Sequence, residues 1–305
     1  MSSATILIGD VRKRLAEIPD QTIQCCVTSP PYWGLRDYGQ DGQIGLEQTP
    51  DEYVSEMVEV FREVWRVMRD DGVLWLNLGD SYASFRDSKV SPDSLRNGDG
   101  TKVSHAANRN PANLKSAGLK HKDLAGIPWR VALALQADGW YLRQDIIWHK
   151  PNPMPESVKD RCTKSHEYLF MLTKFAQYFF DNKAIQEPTQ ITNKKKEHQQ
   201  TELLGQNKRN RRSVWTINTK PFRGAHFAVM PEAVVEPCVM ASSRPDDLVL
   251  DPFTGSGTVG VVALRHSRNF VGVELNPDYA EIARNRIKSS QPMFNEVIVE
   301  MSETE

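Results

Sequence analysis

Two hydrophobic patterns alternate along the chain: short, nearly continuous apolar runs, and longer segments in which apolar residues recur every three or four positions. The first pattern is typical of buried strands and the second of amphipathic helices. Near the start they predict a strand over residues 5–8, a helix over 11–17 and a strand over 23–27. A long helix over 50–68, ended by Gly72, and a buried strand over 73–78 follow.

The same alternation continues through the second half of the chain. It predicts a helix over 127–137, strands over 141–148 and 167–172 with a continuation over 178–180, a helix over 231–242, a strand over 248–250, a helix over 259–265, a strand over 270–273 and a helix over 278–288. Strands that alternate with helices indicate an α/β fold with a doubly wound, mostly parallel sheet. At 305 residues and 39% hydrophobic content, the chain is long enough to bury a substantial core.

Two polar segments interrupt this pattern and concentrate the positive charge. Residues 84–123 contain eight Lys/Arg against four Asp/Glu, and residues 190–213 contain seven against two, although the net charge of the chain is −1. Local basic patches of this kind attract a polyanionic partner. A solvated surface would show the same composition, so charge alone does not decide between the two interpretations.

Several protein classes are disfavoured by what the sequence lacks. No apolar stretch approaches the roughly 18 to 20 residues that span a bilayer, and the charged start of the chain does not resemble a signal peptide. A cytoplasmic protein is therefore expected. The four cysteines show no C-x-x-C pairing, which argues against a disulfide framework and against a zinc site.

A glycine-rich loop, Asp-Pro-Phe-Thr-Gly-Ser-Gly-Thr over residues 251–258, separates a predicted strand from a predicted helix. Gly255 and Gly257 let the backbone approach an adenosine-containing ligand closely. Glu274 ends the next strand, where its carboxylate can accept hydrogen bonds from both ribose hydroxyls. The third glycine of the dinucleotide fingerprint is missing, which disfavours a nicotinamide or flavin cofactor. A tight turn followed by a helix cap is the alternative.

A second loop, Ser29-Pro30-Pro31-Tyr32, follows the strand predicted over 23–27. It offers a hydroxyl, a fixed carbonyl and an aromatic face, which suit a planar base with an exocyclic amine. If the Ser29 hydroxyl and the Pro30 carbonyl accept the two amine hydrogens, the nitrogen lone pair is freed for attack on an activated methyl group. Such a base must leave the duplex, and Tyr32 is the expected stacking partner. By itself the tetrapeptide is also a common strand-ending turn.

Residues 28–33, 251–258 and 270–277 together resemble the catalytic and S-adenosylmethionine motifs of the DNA amino-methyltransferases, which modify N4 of cytosine or N6 of adenine. The order of the motifs resembles the circularly permuted, beta-type arrangement. The resemblance implies a Rossmann-like methyltransferase fold, S-adenosylmethionine as cofactor and double-stranded DNA as substrate. Ser29 resembles the cytosine-N4 enzymes, because adenine-directed relatives commonly have Asp or Asn at that position.

The resemblance also implies a cofactor site. Asp10 should lie near the adenine, although it is equally well placed to cap the following helix, and His226 begins a segment that supports the methionine end. The expected cofactor-binding set is Asp10, Thr28, His226, Asp251, Phe253, Gly255, Ser256, Gly257, Thr258 and Glu274. Asp80 is a weaker candidate for lining the pocket, and residues 148–152 are weaker candidates for facing the base, since strand-end aspartates and core tryptophans such as Trp148 are common.

The chain divides into segments of different expected role. Residues 1–83 and 124–185 form the catalytic half, 84–123 a basic insertion, 186–224 the target-recognition segment, 225–290 the cofactor-binding half and 291–305 a tail. DNA phosphates are expected to contact Lys194, Lys195, Lys196, Lys208, Arg209, Arg211 and Arg212. A cognate restriction endonuclease is a candidate partner by resemblance, and the sequence does not choose between a monomer and a homodimer.

Three alternatives compete with this interpretation. Pro237-Cys238 resembles the nucleophile of the C5-cytosine methyltransferases, but it falls inside a predicted helix, where a buried cysteine is the ordinary expectation. A DNA-binding protein that has lost catalysis would not need both intact loops. Enzymes that methylate protein or RNA amides use a related loop with Asn in place of Ser29.

Overall fold

Nine strands form one sheet in the computed structural model, which describes residues 2–35, 39–83, 117–189, 208–219, 229–290 and 296–301. They are β1 (Ser3–Ile8), β2 (Ile23–Thr28), β3 (Met68–Leu78), β4 (Tyr141–His149), β5 (His166–Thr173), β8 (Val214–Thr216), β9 (Leu248–Asp251), β10 (Asn269–Glu274) and β11 (Glu296–Met301). Their order is β11-β1-β10-β9-β2-β3-β5-β4-β8. Only β5 runs antiparallel to its neighbours. A separate antiparallel pair joins β6 (Glu187–Pro188) to β7 (Lys208–Arg209).

Helices cover both faces of this sheet. One face carries α1 (Val11–Leu15), α2 (Pro50–Val67) and α3 (Ile127–Ala137), and the other carries α4 (Glu232–Ser242), α5 (Thr258–Arg265) and α6 (Pro277–Ser290). Successive strand residues point to opposite faces, so Leu7 packs with the first group of helices and Ile6 with the second. The predicted doubly wound α/β fold is confirmed. None of the described helices has the length and hydropathy needed to cross a membrane.

Local chemistry fixes the start of α2. The Thr49 hydroxyl accepts a hydrogen bond from the Glu52 amide at 3.2 Å, and the Glu52 carboxylate accepts one from the Thr49 amide at 3.1 Å. This capping box is worth about 1 kcal/mol. It also sets the position of Tyr53 in the first turn, and this side chain reaches the loop after β2.

Four neighbouring parallel strands end at the same edge of the sheet. Ile8 at the end of β1 pairs with Glu274 at the end of β10. Strand β10 pairs with β9, and β9 pairs with β2. The loops after β1, β2, β9 and β10 therefore emerge side by side. In open α/β sheets this is where ligands bind.

The observed elements differ from the predicted ones in three places. Residues 178–180 do not continue β5, because the chain leaves the sheet and the Phe179 amide donates to the Asp71 carbonyl at 2.9 Å. Gly72 lies inside β3, which begins at Met68 because that residue already pairs with Ile23.

The third difference concerns the predicted tail, 291–305, which supplies the edge strand β11. It pairs in parallel with all six residues of β1. Similarly, β8 lies in the predicted target-recognition segment but extends the main sheet beside β4. Edge strands of this kind depend on backbone pairing with a distant partner, which local pattern does not reveal.

Candidate active site

A cavity opens at the edge where the four loops meet. The segments that line it are the loops after β1, β2, β9 and β10, together with parts of residues 40–44 and 229–230. The predicted site residues that line it are Asp10, Ser29, Pro30, Pro31, Tyr32, Asp251, Phe253, Gly255, Ser256, Thr258 and Glu274. The predicted catalytic loop, 29–32, and the predicted cofactor loop, 251–258, are more than 200 positions apart in sequence and share one cavity.

The two glycines of the 251–258 loop have different tasks. Gly257 has a φ of +76°, and a Cβ there would lie 3.0 Å from the Cβ of Ala283, so this glycine lets the loop approach α6. Gly257 does not line the cavity. Gly255 has a φ of +51°, and a Cβ there would meet only the Phe253 carbonyl oxygen at 3.9 Å. A larger side chain at 255 would extend into the cavity, which fits a ligand held against this backbone.

Glu274 connects the loop after β9 with the loop after β10. Its carboxylate accepts hydrogen bonds from the Gly255 amide at 2.8 Å and from the Asn276 amide at 2.9 Å. Burial raises the pKa of Glu274 to about 7. The residue thus organises two loops and also presents a carboxylate to the cavity, where it can accept hydrogen bonds from hydroxyl groups.

Asp251 ties the loop after β9 to β2. The Thr28 hydroxyl donates to the Asp251 carboxylate at 2.7 Å, and the Phe253 amide donates to the same oxygen at 3.1 Å. Burial raises the pKa of Asp251 to about 7. Thr28 lies behind Asp251 and does not line the cavity, so its contact with a ligand would be indirect.

Asp10 combines the two expected roles. It caps α1 by accepting from the Arg12 amide at 2.8 Å, and it still lines the cavity. The Arg12 guanidinium holds both carboxylate oxygens, at 3.0 and 2.6 Å. Burial alone would raise the pKa of Asp10, but the hydrogen bonds and charge of Arg12 lower it below its usual value.

The Ser29-Pro30-Pro31-Tyr32 loop is held from behind. The Tyr53 hydroxyl donates to the Pro31 carbonyl at 2.9 Å, and the Gly34 amide donates to the Gly45 carbonyl at 2.7 Å. Within the described parts of the chain, no group donates to the Pro30 carbonyl. This oxygen therefore has free lone pairs in a loop that lines the cavity.

Tyr32 is held by more contacts than a simple stacking role requires. Its hydroxyl donates to the Glu167 carboxylate at 2.7 Å, with the Asn77 side-chain oxygen 3.1 Å away, and the Ser29 hydroxyl lies 3.4 Å from it. Burial, and then the negative charge of Glu167, raise the pKa of Tyr32 well above its usual value. The ring packs on Gly79, where a Cβ would lie only 2.4 Å from Tyr32 Cε2.

The weaker site candidates Asp80 and Trp148 and the alternative nucleophile Cys238 lie outside the lining of the cavity. The Asp80 carboxylate accepts from the Gly126 and Ile127 amides, both at 3.1 Å, so it caps α3. Trp148 is buried and donates to the Ile217 carbonyl at 2.9 Å. Cys238 is buried within α4, and burial raises the pKa of its thiol well above the usual value. None of these three side chains lines the cavity.

The predicted DNA-binding residues are described only in part. Lys194, Lys195 and Lys196 lie outside the described residues, as does His226 of the cofactor-binding set. Lys208 and Arg209 form β7, and the guanidinium groups of Arg209 and Arg212 both pair with Glu187, at 2.8 and 2.6 Å. Arg211 packs on the Trp215 ring at 4.5 Å, and burial lowers its pKa. These arginines are thus held by other residues of the chain.

Sequence reasoning missed part of the cavity wall. Gln40, Gly42, Gln43 and Ile44 line it, as do Met230, Leu275 and Tyr279. The closely spaced glycines at 39, 42 and 45, all with positive φ, were the available signal for a looped segment. Nothing in the sequence pointed to Glu167, which lies behind Tyr32.

The glycine loop and the Ser-Pro-Pro loop, which carry the resemblance to the DNA amino-methyltransferases, open into one cavity. A family model described as DNA methylase, N6_N4_Mtase, matches residues 23–285. The chain is 49% identical over 294 residues to the type II methyltransferase M.Cfr9I of Citrobacter freundii. The aligned region covers 94% of this chain and 89% of that protein. The chain belongs to this family of DNA methylases.

Solved structures agree on the fold. PvuII DNA methyltransferase, described as cytosine-N4-specific, matches with a TM-score of 0.65 at 19% identity over 98% of this chain and 95% of that chain. A protein of Thermus thermophilus solved with S-adenosyl-L-methionine matches with a TM-score of 0.64 at 24% identity, over 99% and 100% of the two chains. The predicted Rossmann-like methyltransferase fold is confirmed, and S-adenosylmethionine is the methyl donor of the family.

Proposed function

We propose that this DNA methyltransferase transfers the methyl group to N4 of a cytosine that has left the duplex. One observation carries the proposal: Ser29 and Pro30 line the same cavity as the 251–258 loop and Glu274, and no described residue donates a hydrogen bond to the Pro30 carbonyl. Two hydrogen-bond acceptors on one rigid loop match the two hydrogens of an exocyclic amine.

The amine needs activation because its lone pair is delocalised into the ring. When Ser29 and Pro30 accept its hydrogens, the nitrogen becomes more pyramidal and more nucleophilic. Bound S-adenosylmethionine would supply a methyl group activated by the adjacent positive sulfur: its carbon–sulfur bond would break as the methyl group joins the amine, S-adenosylhomocysteine would leave, and the methylated amine would release one proton to water. Ser29 and Pro30 therefore act by orienting the amine, and the rigidity of the loop holds it in line for transfer.

The cofactor end of the cavity has groups that fit an adenosine and a methionine moiety. Glu274 would accept the ribose hydroxyls, and the backbone at Gly255 leaves space for the ligand. Asp10 would lie near the adenine and Phe253 beside it. Asp251 is hydrogen-bonded to Thr28 at the end of β2, and its carboxylate would favour a cationic group of the ligand there.

Access to the target requires the base to be flipped out, because N4 of a paired cytosine cannot reach a cavity at the edge of the sheet. The predicted target-recognition segment, 186–224, and its basic residues are proposed to hold the DNA backbone. The type II relatives favour a companion restriction endonuclease with the same target sequence, and the motif order favours a permuted, beta-type chain.

Adenine N6 is the second candidate target, since the family model spans both chemistries. Cytosine is favoured because Ser29 occupies the position at which adenine-directed enzymes commonly have Asp or Asn.

Variants of the two loops test the proposed division of labour. Ser29→Ala should lose methyl transfer to DNA and retain affinity for S-adenosylmethionine, whereas Gly255→Val should lose both, because its side chain would extend into the cavity. Filter-bound transfer of labelled methyl groups and calorimetric binding of the cofactor measure the two properties. Near wild-type turnover of Ser29→Ala at saturating DNA would contradict the proposed activation of the amine.

A further inference from the structure

A partly buried chain of polar groups extends from the cavity into the protein behind Tyr32. It runs from the Ser29 hydroxyl to the Tyr32 hydroxyl at 3.4 Å, from there to the Glu167 carboxylate at 2.7 Å, and then to the Lys150 ammonium, which forms an ion pair with the second carboxylate oxygen. Ser29 and Tyr32 line the cavity, but Glu167 and Lys150 do not.

Strand pairing brings the two charged residues together. Glu167 is the second residue of β5 and Lys150 follows β4, and the Lys150 amide donates to the Ser165 carbonyl at 2.7 Å. The Glu167 side chain is 13% exposed and the Lys150 side chain 17%. The ammonium also lies 4.3 Å from the centre of the Trp148 ring. Removing two charges from water is costly unless they are paired, and each of these two groups is the other's ion-pair partner.

Hydrogen-bond chemistry fixes the direction of the chain. The Glu167 carboxylate and the Asn77 amide oxygen can only accept, and the charged carboxylate is the closer of the two, at 2.7 against 3.1 Å, so Tyr32 directs its single proton toward Glu167. The phenol oxygen is then left with lone pairs for the Ser29 proton. With its proton directed at Tyr32, the Ser29 oxygen keeps its own lone pairs for the cavity. The 3.4 Å separation is long for a hydrogen bond between two hydroxyl groups.

We infer that Glu167, held by Lys150, is a positioning residue that acts through Tyr32 to keep the Ser29 hydroxyl in the orientation that accepts an amine hydrogen. The inference rests on the proposed role of Ser29. Glu167 would touch neither DNA nor cofactor. Its contribution should therefore appear in the rate of methyl transfer and not in cofactor affinity.

A double-mutant cycle between Tyr32→Phe and Glu167→Gln tests this coupling. Each single variant should slow single-turnover methyl transfer, at saturating DNA and S-adenosylmethionine, by about 10- to 100-fold, the effect of losing one charge-assisted hydrogen bond. The double variant should be no slower than the slower single variant, because both changes break the same chain. Cofactor affinity should stay within about twofold of the wild type, since no cofactor-facing group changes.

Two further variants distinguish a loss of rate from a loss of folded protein. Glu236→Gln removes the carboxylate partner of His266 on the opposite face of the sheet and should keep the wild-type rate. If Glu167→Gln leaves too little folded protein, Lys150→Gln/Glu167→Gln removes both buried charges together, and it should show the same loss of rate and the same absence of a further effect from Tyr32→Phe.

A wild-type rate in Glu167→Gln, or losses that multiply in the double variant, would overturn the inference. Ser29→Ala separates this result from failure of the proposed function. If Ser29→Ala is inactive while Glu167→Gln is fully active, only the positioning role of Glu167 is wrong. If Ser29→Ala is fully active, the proposed activation of the amine is wrong, and the inference falls with it.

Discussion

Replacing Gly79 by alanine should damage catalysis through Tyr32 alone. The new Cβ would lie 2.4 Å from Tyr32 Cε2 and 2.8 Å from Cδ2. Carbon atoms prefer about 3.5 to 4.0 Å, so the ring must shift by roughly 1 Å. Such a shift would take the 2.7 Å contact with Glu167 beyond normal hydrogen-bond length, and a misplacement of about 1 Å in an active site can cost about 100-fold in rate.

Overpacking also lowers stability, and Gly72→Ala is the matched control for that effect. Gly72 lies within β3 and away from Tyr32, where a Cβ would meet Arg69 O and Met68 Cε, each at 3.0 Å. Both variants should lose about 1 to 3 kcal/mol in urea unfolding. Only Gly79→Ala should lose single-turnover activity with unchanged cofactor affinity. Wild-type turnover in Gly79→Ala, or an equal loss in Gly72→Ala, would refute the reasoning.

Three other outcomes are expected. Burial raises the pKa of Glu274 to about 7, so S-adenosylmethionine affinity should rise between pH 6 and 8 by up to about tenfold, and calorimetry should find a shallower profile in Glu274→Gln. The pKa of Glu274 is higher in the folded protein than its ordinary value of 4.5, so protonation of this carboxyl stabilises the fold at low pH. This part of the free energy of unfolding should be lost as the pH rises through about 7. Neutralising the lysines at 194–196 should flatten the salt dependence of DNA binding by about one unit per lost phosphate contact, whereas arginines of 208–212 that share Glu187 should contribute less. Cys238→Ala should lower the melting temperature but retain methyl transfer; complete loss of transfer in a folded, cofactor-binding variant would point to a covalent mechanism.

The parts of the site that follow buried strands could be predicted from sequence. Strand-ending loops at residues 29–32 and 251–258 have distinctive side chains, and parallel strands bring their carboxyl ends to the same edge. The pattern of apolar residues therefore located both loops. It also predicted the buried state of Cys238 from helical context alone.

Contacts that depend on strand register could not be predicted. Tyr32 and Glu167 are 135 positions apart, and they meet only because β5 runs antiparallel to β3. The separate tasks of Gly255 and Gly257 similarly depend on the position of Ala283 in α6. Residues 40 and 42–44 line the cavity, but they belong to a loop without helical or strand periodicity. Their position depends on the surface that the loop covers, which the local sequence does not reveal.

The identity of the methylated nucleoside tests the central claim most directly. DNA methylated by the purified protein with isotopically labelled S-adenosylmethionine is digested to nucleosides and separated by mass spectrometry. We predict labelled N4-methylcytosine, absent when Ser29→Ala replaces the wild type. N6-methyladenine as the only product would contradict the choice of cytosine and leave activation of an amine standing, whereas 5-methylcytosine would contradict the mechanism itself.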